Sequence, residues 1–292
     1  MSTFTRRDFL VTAAAASAAG LARGAEGDPP VRLKKALKFG MISIKGTILE
    51  KFQLARKVGF EGVEFDSPSG VNREEAVAAR DKTGLVIHGV VDSIHWNVRL
   101  SDPSPEVRSK GLEGLTTALN DCKFYGGDTV LLVPGKVTNP DTENYEQVWQ
   151  RSQEEVRKVL PLADQLGIKI AIEVVWNNFI TKPEQLIEYV DQFKTPTVGA
   201  YFDCSNMIKF GVPPAEWIRK LGKRMLKMDF KGYSKAKQWV PIGEGDEDWP
   251  EVLKACAEVG YNTWATSEVG GGGEEHLLGI AARMDKVLGL KR

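Results

Sequence analysis

Histidine and cysteine are both scarce in this chain of 292 residues, which has three of each. That excludes a Cys/His zinc module and a disulfide scaffold. An excess of one charge is also missing. The 39 basic residues balance 39 acidic ones, so no positive surplus remains to neutralise phosphates, and nucleic acid is not an expected partner. No apolar run reaches the ~18 residues of a membrane span. Glycine and proline, 29 and 14, stay below the range of low-complexity chains. What is present is a chain that is 42% hydrophobic and long enough for one large core.

Residues 1–24 read as an address. Thr5-Arg6-Arg7-Asp8-Phe9-Leu10 precedes a small apolar run from Val11 to Leu21, and Ala22-Arg23-Gly24 supplies small residues for cleavage. The arginine pair followed by Phe-Leu resembles a twin-arginine export signal, so a periplasmic protein is expected. That route carries folded proteins, which suits a metal acquired before export. Three cysteines leave one unpaired, and because Cys122 and Cys256 lie within helical patterns and Cys204 in a strand, all three are expected to be buried, reduced thiols. Residues 25–37, with Asp28-Pro29-Pro30, read as a linker, and residues 38–292 as the folded domain.

That domain repeats one grammar. Short apolar segments, predicted as strands, fall at Phe39–Ile44, Gly62–Asp66, Leu85–Val91, Thr129–Val133, Ile168–Glu173, Val198–Asp203, Met225–Lys231 and Thr263–Glu268. Helical patterns lie between them, among them Ile48–Val58, Glu106–Tyr125 and Tyr145–Leu166. Six of these close on glycine just before the next strand: Gly59, Gly84, Gly126, Gly167, Gly222 and Gly260. Glycine accepts the left-handed backbone that ends a helix. Eight units of about 32 residues predict a (β/α)8 TIM barrel, an α/β fold in a single domain. A doubly wound open sheet is the rival, but Ser43-Ile44-Lys45-Gly46-Thr47 is not the glycine-rich loop it usually carries after strand one.

In a barrel the C-terminal strand ends carry the chemistry. Here they carry acids: Glu64 and Asp66, then Glu173, Asp203, Asp229 and Glu268. Side chains alternate along a strand. Ile168, Ile170 and Ile172 toward the helices send Glu173 inward. Leu226, Met228 and Phe230 outward send Lys227, Asp229 and Lys231 inward. Glu173, Asp203, Asp229 and Glu268 would repel one another at a barrel mouth unless positive charge sat among them. A divalent cation would supply it, helped by Lys231 or Lys227, and hard oxygen ligands suit Mg²⁺ or Mn²⁺. For any single acid, a salt bridge or loop hydrogen bond is the alternative.

Five segments carry a family resemblance. They are Ile172-Glu173-Val174-Val175-Trp176-Asn177-Asn178-Phe179, Tyr201-Phe202-Asp203, Asp229-Phe230-Lys231-Gly232-Tyr233, Gly243-Glu244-Gly245-Asp246 with Asp248-Trp249, and Ser267-Glu268-Val269. Over about residues 38–289 the chain resembles the xylose isomerase-like barrels: sugar isomerases, epimerases, dehydratases and their AP-endonuclease relatives. The resemblance implies one divalent metal ion held by Glu173, Asp203, Asp229 and Glu268. Asp229 stands where many relatives have His, which raises the negative charge of the site. It also implies that Glu173 and Glu268 act as acid and base on opposite faces of a sugar, through an enediolate. Lys231 would polarise the carbonyl or balance the acids. Glu64 matches a position that meets substrate hydroxyls, and Asn206 one where some epimerases carry a substrate-binding His.

His95, followed by Trp96 after strand three, is placed to clamp a sugar or to cap a turn. Trp176 and Asn178 follow Glu173 and are placed to touch ligand, with packing the alternative for Trp176. His88 reads as a hydrogen-bonded barrel residue and His276 as surface. Gly270 to Gly273 reads as a flexible turn rather than an anion site. The expected partner is a small sugar or glycoside, and a homo-oligomer is compatible with all of this. Export favours a non-phosphorylated sugar. The alternatives are a 3-keto-glycoside lyase or dehydratase using the same site, and a non-catalytic sugar-binding barrel.

Overall fold

The computed structural model describes residues 31–290. The expected signal over residues 1–24 lies outside them, as do residues 25–30 of the expected linker. Eight parallel strands close into a barrel: β1 Lys34–Lys38, β2 Gly62–Ser67, β3 Val86–Asp92, β4 Thr129–Leu132, β5 Lys169–Glu173, β6 Val198–Asp203, β7 Met225–Phe230 and β10 Trp264–Ser267. β8 Tyr233–Ser234 and β9 Gln238–Trp239 form a small antiparallel hairpin after β7. Around the barrel run α1 Ile48–Lys57, α2 Arg73–Thr83, α3 Pro105–Tyr125, α4 Tyr145–Leu166, α5 Pro183–Asp191, α6 Cys204–Ile208, α7 Pro214–Leu221, α8 Trp249–Val259 and α9 Glu274–Leu288. This is a TIM barrel in one domain. All six helix-closing glycines have positive φ, from 54° at Gly222 to 100° at Gly59. No helix among the described residues is long and apolar enough to cross a membrane.

Strand one is a correction. The barrel begins at Lys34, inside the expected linker, while Phe39–Met41 is a 3-10 turn beyond the strand. Three lysines in five residues conceal the strand. Lys35 is buried and ion-paired with Asp285, and Leu33 and Leu37 pack in the core between barrel and helices.

That core holds the outward faces of the strands, including Ile170, Ile172, Met228 and Phe230. A smaller apolar cluster of Leu131, Val133, Ala171, Val175 and Tyr201 lies apart from it, on the alternate strand positions that face the barrel interior. Leu226 departs from the expected alternation and packs against this smaller cluster. The β6–β7 register slips between Ala200 and Tyr201, so Met225 pairs with Ala200 but Lys227 with Tyr201, leaving Leu226 as an unpaired bulge. A second slip lies between Val63 and Glu64. Both bulges adjoin residues of the candidate site. The three cysteines are buried and free, as expected.

The barrel mouth is closed between β10 and β1 by the glycine run. Gly272 N–H donates to Met41 C=O at 2.9 Å, and Ser43 N–H to Gly272 C=O at 3.1 Å. A Cβ at Gly271 would lie 2.5 Å from the Met41 carbonyl oxygen. The run is therefore a pinned closure rather than the flexible turn expected of it.

Candidate metal centre and active site

Parallel register brings the strand-end groups to one level. Glu173 pairs with Tyr201, Asp203 with Asp229, Asp229 with Thr266, and Lys38 with Glu64. Glu173, Asp203, Asp229 and Glu268 each place one ligand oxygen within 4.8 Å of the others. The first three are buried and Glu268 reaches the mouth.

Two lysines thread the cluster. Lys231 contacts Asp203 Oδ2 at 2.8 Å and also pairs with Glu268. Lys38 contacts Asp229 Oδ2 at 3.1 Å and also pairs with Glu64. The Tyr201 hydroxyl lies 3.0 Å from Asp229 Oδ1 and 3.1 Å from Glu64 Oε2, and its single proton serves one of them at a time. Asp203 caps α6 through Oδ1, which accepts from Ser205 N–H at 2.8 Å and Asn206 N–H at 3.0 Å. Its other oxygen is thereby left facing Lys231.

The proton affinities diverge. Burial, reinforced by the Glu268 charge, pushes the Glu173 carboxyl up to about 8. Burial acts on Glu268 in the same direction, but Lys38 and Lys231 together outweigh it and hold that carboxyl below the usual range. Burial also opposes the charge on Lys38, yet Asp229 and Glu64 keep it firmly protonated.

The cluster fits a divalent cation. Asp203 Oδ2, Asp229 Oδ2 and Glu268 Oε2 are buried and accept no well-formed hydrogen bond; Lys231 faces the first and third and Lys38 the second, and the Asp229 and Glu268 carboxyls also meet each other. Five carboxylates, counting Glu64, confront two lysines. The acids outnumber the ammonium groups, and burial raises the proton affinities of both Glu173 and Asp229, a surplus of acid that a divalent ion would offset.

Not every expected site residue lies in this cluster. Lys231 does, but Lys227 does not. It is buried lower in the barrel, where it pairs with Asp128 at 2.7 Å ahead of β4. Glu64 lies at the floor with its carboxylate engaged by Lys38 and Tyr201, so it orients those groups rather than presenting a free carboxylate to hydroxyls. Asn206 is tied down as well. Its amide donates to Val174 C=O at 3.2 Å, and its own carbonyl accepts from Trp176 Nε1 at 2.9 Å. Asn178 is exposed with φ 61°, a turn residue; its neighbour Asn177 is the buried one, donating to Gly135 C=O at 2.6 Å.

Trp176 stacks on Trp239 at 5.0 Å and meets Tyr233 edge-on at 4.9 Å, so it is both packed and part of the mouth. His95 is buried. Its Nδ1 accepts from Val133 N–H at 3.3 Å, its Nε2 has no partner, and burial pushes it down to about 3. It is therefore a neutral donor rather than a cation. His88 stacks on Trp264 inside the barrel, and His276 is exposed, both as expected.

Sequence reasoning missed Lys38, Tyr201 and Trp239. Tyr201 carried a usable signal, being two residues before Asp203 and hence on the same strand face. Lys38 had none once strand one was placed too late.

Known proteins share this fold. Two solved structures show the same fold. D-Psicose 3-epimerase from Clostridium cellulolyticum aligns with a TM-score of 0.72 at 20% identity, over 89% of this chain and 100% of that one. 3-Keto-D-glucoside 4-epimerase from Escherichia coli aligns with a TM-score of 0.75 at 18% identity, over 88% and 99%. In sequence, the D-psicose 3-epimerase of Ruminiclostridium cellulolyticum is 27% identical over 222 residues, 70% of this chain and 72% of its own. The L-ribulose-5-phosphate 3-epimerase of Escherichia coli is 21% identical over 225 residues, 73% and 78%. The profile of one family, described as the xylose isomerase-like TIM barrel, matches residues 52–285, all but the edges of the described barrel, and it is to this family that the chain belongs.

Proposed function

We propose that the protein is a divalent-metal-dependent sugar isomerase or epimerase. It moves a proton at the carbon next to a carbonyl, through an enediolate, on a non-phosphorylated sugar. The observation that carries this reading is the convergence of four carboxylates within 4.8 Å, two of them glutamates with opposed proton affinities. Glu173, Asp203, Asp229 and Glu268 would hold the ion, and their hard oxygens favour Mg²⁺ or Mn²⁺. When bound, it would supply positive charge opposite the negative charge that develops on neighbouring sugar oxygens.

Glu268, ionised and at the mouth, takes the proton from carbon. Glu173, on the buried side, is the partner that returns one. Lys231 holds Glu268 and Asp203 in place, and Lys38 with Tyr201 holds Asp229. His95 Nε2–H, buried and unpartnered, is a donor for a sugar hydroxyl. Both cluster lysines are already committed to carboxylates, so a phosphate group would meet uncompensated acids, which supports a neutral sugar.

The test is incubation with Mn²⁺ and a panel of ketoses and keto-glycosides in D₂O. Deuterium is expected at the carbon beside the carbonyl. Glu173→Gln and Glu268→Gln should each lower the rate by about 10²–10⁴-fold. Exchange that persists near the wild-type rate in either variant would sink the assignment. The product distinguishes epimerisation from elimination of a keto-glycoside, and tight binding with no exchange would identify a sugar-binding barrel. Export through the twin-arginine route belongs to the same proposal. Replacing Arg6 and Arg7 by Lys should retain the protein in the cytoplasm.

A further inference from the structure

The acid cluster opens on two unlike cavities, and Glu268 lines both. One, of about 480 Å³, is bounded by Lys38, Asp66, Ser93 and the half-exposed ring of Trp96. The other, of about 790 Å³, begins at Lys231 and runs between the β8–β9 hairpin and α9. Its walls are apolar: Trp239, Val240, Pro241, Ile242, Val269 and Ile280. Its polar groups include Glu275, His276 and Arg283, and two of these are engaged elsewhere. Arg283 pairs with Glu244 at 2.6 Å, and His276 lies 2.9 Å from Gly270 C=O.

The apolar cavity is held open by construction. Gly232 sits where a Cβ would lie 2.6 Å from the carbonyl oxygens of Val240 and Pro241, so the hairpin folds tightly back on itself. That fold carries Trp239 onto Trp176, stacked at 5.0 Å and an 18° interplanar angle, while Trp239 remains half exposed. On the opposite wall, α9 presents Gly279, where an added Cβ would meet nothing within 4 Å. A free hexose needs neither this volume nor this apolar wall. A ligand that satisfies both cavities is polar on one side of Glu268 and apolar on the other.

We propose that the larger cavity is an aglycone subsite, and that the substrate is a keto-glycoside bearing an apolar, ring-sized aglycone. This rests on the proton-transfer reading for the sugar half alone. The subsite itself is a matter of binding and is tested without turnover. The full chain, loaded with Mn²⁺, is titrated calorimetrically with phenyl β-D-glucoside and with methyl β-D-glucoside, neither of which carries a reactive carbonyl. The phenyl glucoside is expected to bind at least ~10-fold more tightly.

Gly279→Phe fills the cavity from a helix position that tolerates a larger residue. It should bring the two affinities within about 3-fold of each other while leaving Mn²⁺ affinity unchanged. Trp239→Ala, on the opposite wall, should do the same if the helix variant folds poorly. Equal affinity for the two glucosides, including no binding of either, would overturn the proposal. So would a preference that survives both substitutions, or a dimer that Gly279→Phe dissociates, which would assign the cavity to a second copy of the chain. Deuterium exchange into a ketose is read separately. Phenyl preference without exchange removes the acid–base assignment and keeps the subsite; exchange without preference does the reverse.

Discussion

Lys38 offsets buried acid in the metal-free protein, and Lys38→Met measures how much stability that contributes. Its ammonium group is buried against Asp229, at 3.1 Å, and against Glu64. Methionine keeps the length of the side chain and removes its charge. Two buried carboxylates then face each other with only the Tyr201 hydroxyl between them. Breaking a buried ion pair from one side costs about 3–5 kcal/mol. In a domain of this size that is a fall in melting temperature of about 6–20 °C. A divalent ion would replace much of the lost positive charge, so the deficit should shrink when the cation is present. The assay is urea unfolding of wild type and variant in EDTA and again in millimolar Mn²⁺. The variant should trail wild type by about 3–5 kcal/mol in EDTA and by clearly less with Mn²⁺. A deficit below about 1 kcal/mol in EDTA, or one that Mn²⁺ leaves unchanged, would refute the charge accounting of the cluster.

Three further outcomes follow from the same structure. Asp92 is buried at the end of β3 with only the Ile94 N–H near its carboxylate, and burial pushes it up to about 7. Its folded pKa exceeds the unfolded one, so the stability it contributes is complete below about pH 4 and is lost as pH rises to about 7. Asp92→Asn should therefore stabilise the protein at pH 8 by up to about 4 kcal/mol and flatten the stability profile between pH 4 and 7, read by urea unfolding across pH. Tyr201→Phe removes the hydroxyl shared by Glu64 and Asp229 and should cost about 1.5–3 kcal/mol in EDTA, measured the same way. Gly271→Ala would press a Cβ to 2.5 Å from the Met41 carbonyl oxygen and should cost about 1–3 kcal/mol, whereas Gly273→Ala meets nothing within 4 Å and should change thermal stability little.

Much of the barrel was legible because its punctuation is local. A glycine ending each helix needs no knowledge of distant contacts, and the positive φ at Gly59, Gly84, Gly126, Gly167, Gly222 and Gly260 confirms each one. Strand one was misplaced because its signature is not local. Lys34-Lys35-Ala36-Leu37-Lys38 is too charged to read as a buried strand until Asp285, some 250 positions on, is seen to neutralise Lys35. The same error hid Lys38, whose partners Glu64 and Asp229 come from two other strands. The hairpin carrying Trp239 is built from two-residue strands with no periodicity of their own, so its place over the mouth was not readable either.

The acids of the site were legible for a different reason. Alternation along a strand assigns each residue to a face, and that parity put Glu173 and Asp229 inside correctly. Parity does not assign depth. Lys227 shares a face with Asp229, but two strand residues lower down is about 6–7 Å. That step takes it out of the acid cluster and down to Asp128 and the carbonyl of His88. Depth is set by how neighbouring strands are staggered, and two bulges, at Val63/Glu64 and Ala200/Tyr201, adjust that stagger beside the site. Those slips set Lys227 opposite Tyr201 and Asp229 opposite Asp203, and they raise Glu64 to the level of Gly89. A carboxylate cluster can therefore be inferred from which strands end in acids. Which lysine completes it depends on the register, and here that selects Lys38 and Lys231 over Lys227.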